Sequence, residues 1–164
     1  MDRIDLQFQT VELLSPDVKR QIMELWNLEY PAKLVHADLT AFEKYLHALE
    51  KPTHILVRLN DRIVGWATKF YRDQSRWFAI ILSNSIHGQH IGSILMKQIK
   101  ANESLLYGWV IDHDKDIKAN GKQYISPLNF YLKQGFTVIE DERLELATLS
   151  AVKIVWFEQE YNIE

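Results

Sequence analysis

The stretch SIHGQHIGSILMKQIK, residues 85–100, sets two glycines and two histidines directly ahead of a run in which Ile91, Ile94, Leu95 and Ile99 recur with a helical period. The preceding residues RWFAIILS, 76–83, are rich in apolar and β-branched side chains and read as a strand. A strand that turns through a short glycine-bearing loop into a helix leaves the N–H groups of the first helical turn unpaired, and the helix dipole adds about half a positive charge there. Such a mouth suits a phosphate. Gly88 lets the loop bend, and Gly92 is expected to let a bulky anion approach the backbone without meeting a Cβ. The alternative is that both glycines serve only a tight connection. Neither G-x-G-x-x-G nor a Gly-Lys-Ser/Thr ending is present, which excludes the dinucleotide and P-loop fingerprints.

Upstream of the stretch, LQFQTVELL (6–14) alternates as a first strand, and Ser15-Pro16-Asp17 opens a helix with Val18, Ile22, Leu25 and Trp26 as its buried stripe. Thr40 and Glu43 stand at capping-box spacing before a second helix that ends near Glu50. From Thr53 the period shifts to two, and THILVRL, IVGWATKFY and RWFAIILS read as three antiparallel strands. Downstream, LLYGWVI (105–111) reads as a buried strand and DHDKDIKANGKQY as a polar loop. A helix starts at Ser126-Pro127 and is stopped by Gly135, and FTVIE and AVKIVWFE close the chain as strands. The order is strand, two helices, three strands, helix, strand, helix, two strands, without repeat or linker, so residues 1–164 are expected to form a single domain.

With 164 residues and 47% hydrophobic content the chain is long enough for one core that buries roughly 70% of its unfolded surface. A net charge of −3 supplies no general field for nucleic acid or an acidic membrane, so an anionic ligand needs a local device. The absence of cysteine excludes disulfides, thiolate metal sites and a cysteine nucleophile. With an opening too polar for a signal peptide and no long apolar run, a cytoplasmic, non-membrane protein is the expectation.

HGQHIG (87–92) resembles the acetyl-CoA motif Q/R-x-x-G-x-G/A of the GNAT superfamily of acyl-CoA-dependent N-acetyltransferases. His87 stands where that family has Gln or Arg, His90 where it has its first glycine, and Gly92 at the second. SPLNFYLKQGF (126–136) resembles the family's later helix, with Tyr131 ahead of Gly135-Phe136, although Tyr124 and Pro127 replace the family's Asn and Ala. The resemblance implies an α/β (α+β) fold: a mixed, mainly antiparallel sheet of about seven strands, flanked by about four helices and splayed between strands four and five. It implies acetyl-CoA as co-substrate, its diphosphate held around His87, Gly88, Gln89, His90, Ile91, Gly92 and Ser93, and its pantetheine arm paired to the main chain of Ile81 and Leu82. Lys97 and Lys100 either attract the outlying phosphates or form the wet face of their helix. The acceptor would approach near Trp26, Glu29, Tyr30 and His36, a mixture suited to an amine with an apolar body and equally able to cap the core or make a homodimer contact.

Acetyl transfer to a primary amine of a small molecule or peptide needs a proton donor for the departing thiolate, and Tyr131 matches the family's position for it. The strand RWFAIIL carries no carboxylate to act as base, which leaves Asp112 and His113 after the fifth strand as candidates beside the reading of a solvated loop start. His87 and His90 lack a third metal ligand, and DHDKDIKANGKQ has Ile117 and Gln123 where a calcium loop needs Gly and Glu, so no metal is expected. A second function class is a non-catalytic acyl-CoA sensor or interaction module of the same fold, and a third is an unrelated nucleotide-phosphate binder.

Overall fold

The computed structural model describes residues 5–88 and 90–159. Strand β1 (Leu6–Val11) is followed by helices α1 (Pro16–Glu29) and α2 (Leu39–His47), then by strands β2 (Glu50–Leu59), β3 (Arg62–Arg72) and β4 (Ser75–Leu82). Helix α3 (Ile91–Lys100), strand β5 (Leu105–Val110), helix α4 (Leu128–Lys133) and the hairpin β6 (Thr137–Leu146) and β7 (Leu149–Phe157) complete the chain. The seven strands form one sheet in the order β1-β2-β3-β4-β5-β7-β6, antiparallel except at β4–β5. This is the mixed, mainly antiparallel α/β arrangement that the family resemblance implies.

Each face of the sheet has its own helices. Ile55, Val57, Ala67, Phe78, Leu106 and Ile154 pack with Ile91, Leu95, Met96 and Ile99 of α3 and Tyr131 of α4. On the opposite face Leu56, Trp66, Phe70, Trp77 and Ile81 pack with Val18, Ile22, Leu25 and Trp26 of α1 and Phe42 and Leu46 of α2. The period-two pattern of β2 to β4 sorts alternate residues to the two cores. No helix among the described residues is long and apolar enough to cross a membrane.

Some boundaries differ from the sequence reading. Ser15 caps α1 as expected, its hydroxyl accepting from the Val18 N–H, but α2 is capped by Asp38, whose carboxylate accepts from Ala41 N, and not by Thr40. Strand β2 begins at Glu50 and runs through Pro52, because a register shift between Glu50 and Thr53 spares the N–H that proline lacks. The last hairpin is longer than its apolar segments: residues 140–143 are all charged and exposed, and a second register shift between Ile139 and Arg143 absorbs them.

Candidate functional site

Strand β4 is laddered to β3 along its whole length, but it meets β5 at a single register pair, Trp77 with Tyr107. Beyond that pair the two strands part. Next to the register pair the strands still pack closely: a Cβ on Gly108 would lie 2.9 Å from the Phe78 ring, so the ring stands against bare backbone.

The alternation of an antiparallel ladder decides which β4 main-chain groups face this gap. Ser83 N donates to Val64 O across the ladder, so Ser83 and, two residues back, Ile81 turn their polar groups toward β3. Ile80 and Leu82 turn theirs the other way, and both carbonyls are found at the gap: Ile80 O accepts from the Tyr30 hydroxyl at 3.1 Å, and Leu82 O lies 3.2 Å from His87 Nε2. Ile81 is therefore corrected to Ile80 as the partner of Leu82 on the open edge.

At the C-terminal end of the gap the chain makes a short 3₁₀ turn (Asn84–Ile86) and enters α3. Ile91, Gly92 and Ser93 form the first turn, where no intrahelical acceptor exists for their N–H groups; the first helical bond runs from Ile94 N to His90 O. Gly88 has φ +83, and nothing lies within 4 Å of a Cβ built on it. His90 has φ +59 and is exposed, a left-handed backbone that explains why a glycine suits this position and that costs a histidine about 1 kcal/mol. Ile91 is 3% exposed and anchors the turn in the core, while exposed Ser93 accepts from Gln134 Nε2 at 3.0 Å. Gln89 lies outside the described residues.

Two expectations for this region change. Gly92 does not present its bare face to an incoming anion, because an added Cβ would lie 3.1 Å from the Phe130 ring and 3.5 Å from Leu82, so the glycine admits α4. Lys100 is not part of a wet face: its ammonium donates to Gln134 O and lies 5.7 Å from the centre of the Phe136 ring and 5.1 Å from that of Trp156. It closes the end of α4, where Gly135 takes φ +91.

Three phenols converge on the gap. Tyr131 is 8% exposed and packs against Phe78, Phe130 and Phe136; burial, and then the proximity of Tyr124, raise its pKa. Tyr30 closes the other side, in edge contact with Tyr124 at 6.4 Å, and burial raises its pKa as well. Tyr124 is raised by burial and by Asp116. All three are proton-loaded at neutral pH. Tyr124 stands out in the sequence only as a replacement for the family's Asn, since a lone tyrosine in a polar loop carries no periodic signal.

The acceptor-side candidates separate. Trp26 is 7% exposed, donates its indole N–H to Leu34 O at 2.7 Å, and belongs to an aromatic cluster with His36, Phe42 and Tyr45. Burial pushes the Tyr45 phenol up to about 12 and lowers the His36 pKa. Glu29 differs: it is buried, its Oε2 has no hydrogen-bond partner among the described residues, and Lys118 Nζ stands 3.9 Å away. Asp112 is bound by both ends of the Arg143 guanidinium at 2.8 and 3.1 Å, and that hydrogen bonding holds its carboxyl below the usual range. His113 Nδ1 accepts from Lys115 N. Asp112, His113, Asp114, Ser126, Leu128 and Asn129 line a cleft of about 250 Å³ at the end of β5.

The family and the fold are matched by comparison with known proteins. Residues 19–105 fit the model of the acetyltransferase (GNAT) family. The chain belongs to the GNAT acetyltransferases. No curated protein matches the sequence significantly. Among solved structures, this GNAT chain resembles an aminoglycoside 6'-N-acetyltransferase complexed with coenzyme A (TM-score 0.68, 14% identity, covering 92% of this chain and 96% of that one). It also resembles Escherichia coli ElaA (TM-score 0.63, 16% identity, 93% and 99% covered). The aminoglycoside 6'-N-acetyltransferase of Enterococcus faecium is similar too (TM-score 0.66, 13% identity, 92% and 96% covered). At these identities the likeness is one of fold, and the GNAT splay between strands four and five is the gap described above.

Proposed function

We propose that the chain, acting as one domain, transfers an acetyl group from acetyl-CoA to a primary amine of a small molecule or peptide. The observation that carries this reading is the β4–β5 opening, joined by a single register pair and ending at the mouth of α3, whose first-turn N–H groups have no acceptor within the helix. Acetyl-CoA supplies the activated carbonyl as a thioester. The N–H groups of Ile91, Gly92 and Ser93 would receive its diphosphate, and open space beside Gly88 leaves room for it. Ile80 and Leu82 would offer main chain to the amide-bearing arm.

A lysine-type amine with a pKa of about 10.4 is neutral in roughly one molecule in a few thousand at pH 7, a disadvantage of about 4.6 kcal/mol, so the site must help it lose a proton. The departing thiolate must gain one. Tyr131, raised above the ordinary phenol range by burial on the α4 side of the gap, keeps its proton at neutral pH and is the donor in this reading. The test is titration calorimetry with CoA followed by a thiol-release assay across a panel of amines. Binding and release are expected, and absence of CoA binding overturns the reading.

A second reading, an acyl-CoA sensor without turnover, draws on one observation. The Ile80 and Leu82 carbonyls are already taken by Tyr30 and His87, which an arriving pantetheine arm would have to displace. CoA binding without thiol release from any amine would select it.

A further inference from the structure

Of the five buried side-chain polar atoms that have no hydrogen-bond partner among the described residues, four lie on the side of the sheet covered by α1 and α2: Glu29 Oε2, His36 Nε2, Thr68 Oγ1 and Trp77 Nε1. Buried polar atoms are nearly always paired, so such a concentration points to a partner from outside the chain. Only Glu29 among the four carries a carboxylate. It ends the stripe Val18, Ile22, Leu25 and Glu29, which faces the sheet, and its side chain is 9% exposed. Lys118 Nζ at 3.9 Å balances the charge without making a hydrogen bond. Its loop is strapped to the end of α1 by the Pro31–Lys118 bridge and by Ala32 N donating to Ile117 O. The residue after Glu29 is Tyr30, whose hydroxyl already sits on the gap edge at Ile80 O. The carboxylate thus lies on the last turn of α1, one residue before the side chain that reaches the edge of the opening in which acyl transfer would occur.

A carboxylate oxygen accepts and cannot donate, so what completes it is an N–H or O–H donor, and a positive one also matches its charge. A primary ammonium meets both conditions, and the Tyr30 and Tyr124 rings at the same end of α1 add faces that attract cations. Asp112 cannot take this part, because Arg143 occupies both of its oxygens. We propose that Glu29 is the residue that selects the acceptor: its free oxygen receives the ammonium of a cationic aliphatic amine in competition with Lys118. The inference deepens the transferase reading and rests on it for the identity of the second substrate.

The experiment titrates 1,5-diaminopentane into the CoA-loaded protein by calorimetry for wild type, Glu29→Gln and Lys118→Met, with thermal melts and a separate CoA titration of each. The expected result is at least a tenfold loss of diamine affinity in Glu29→Gln, a gain in Lys118→Met, and CoA affinity unchanged in both. In turnover, KM for the diamine rises in Glu29→Gln while KM for 4-methoxyaniline, neutral at pH 7, stays put. Equal diamine affinity in wild type and a folded Glu29→Gln overturns the proposal, as does a wild type that binds no diamine. If Glu29 serves only to neutralise Lys118, both variants lose stability alike and bind the diamine as wild type does, which also overturns it. Should Glu29→Gln fail to fold, Lys118→Met decides: tighter binding supports the proposal, and equal or weaker binding ends it. The transferase reading fails separately. Absence of thiol release with every amine sinks that reading while the diamine titration still reports on Glu29.

Discussion

On the α3/α4 face the sheet buries Leu95, Met96, Ile99, Leu106 and Ile154 completely, and the charges at its margin meet one another, Glu103 lying 3.1 Å from both Lys69 and Arg76, with Arg76 Nη1 the one orphaned buried polar atom there among the described residues. On the α1/α2 face Phe42 and Trp66 are buried as deeply, but they share the interior with His54, Thr68 and Glu29, and several polar atoms there lack partners. The first face is close to an apolar jigsaw, in which stability is the main dividend of each residue. The second retains polar groups that cost stability, and such departures from local consistency are where chemistry is expected. The gap between β4 and β5 joins the two, with Tyr131 reaching it from one face and Tyr30 from the other.

The sharpest way to break this comparison is Tyr131→Phe, which keeps the ring packing against Phe78 and Phe136 and removes only the hydroxyl. It is expected to lower kcat about 10²–10⁴-fold with little change in acetyl-CoA affinity. An unchanged kcat would return Tyr131 to the apolar face as a packing residue.

Next in size is a pH effect on the other face. His54 is 3% exposed, accepts from the Trp66 indole N–H at 3.1 Å, and burial lowers its pKa to about 4. The unfolded chain, with an ordinary histidine near 6.5, binds the proton more readily, so this contribution is intact above about pH 6.5 and lost as pH falls toward 4. A shift of this size is worth about 3 kcal/mol. Denaturant midpoints between pH 7 and 4.5 should show the loss, and His54→Gln should flatten that part of the profile.

Smaller again is Gly92→Ala, which forces a Cβ to 3.1 Å from the Phe130 ring. It should cost about 1–2 kcal/mol, and Phe130→Leu in the same chain should recover part of that. Equal destabilisation with and without Phe130→Leu would deny that this glycine serves the packing of α3 on α4. The smallest effect is a gain: His90→Gly removes a side chain from a backbone at φ +59 and should stabilise by about 1 kcal/mol, a rise of about 2–4 °C in melting temperature.

The helix mouth was legible because glycines, a strand and an amphipathic run occur side by side in the chain, so local geometry alone assembles them. The buried stripe of α1 was legible to Trp26, yet Glu29 continues it at the same spacing, and a charged residue on an apolar face does not announce whether it is paired. The boundary of α2 was misread because Thr40 and Asp38 are both good caps, and only the fold decides which side chain meets the free amides. The last hairpin looked short because strand pairing continued through charged residues that carry no alternation.

By itself the sequence determined the element order, the two-sided patterning of the strands and the GNAT resemblance, since all three depend on residues near one another in the chain. Tertiary structure alone decided that Ile80 and Leu82, not Ile81, turn their carbonyls to the gap, because that depends on the pairing phase of β4 with β3. It also decided that Gly92 makes room for Phe130, that Arg143 claims Asp112 across 31 residues of chain, and that Glu29 keeps one oxygen without a hydrogen-bond partner. Each of these rests on a distance between segments far apart in sequence, and such distances are fixed only when the two cores close on the sheet.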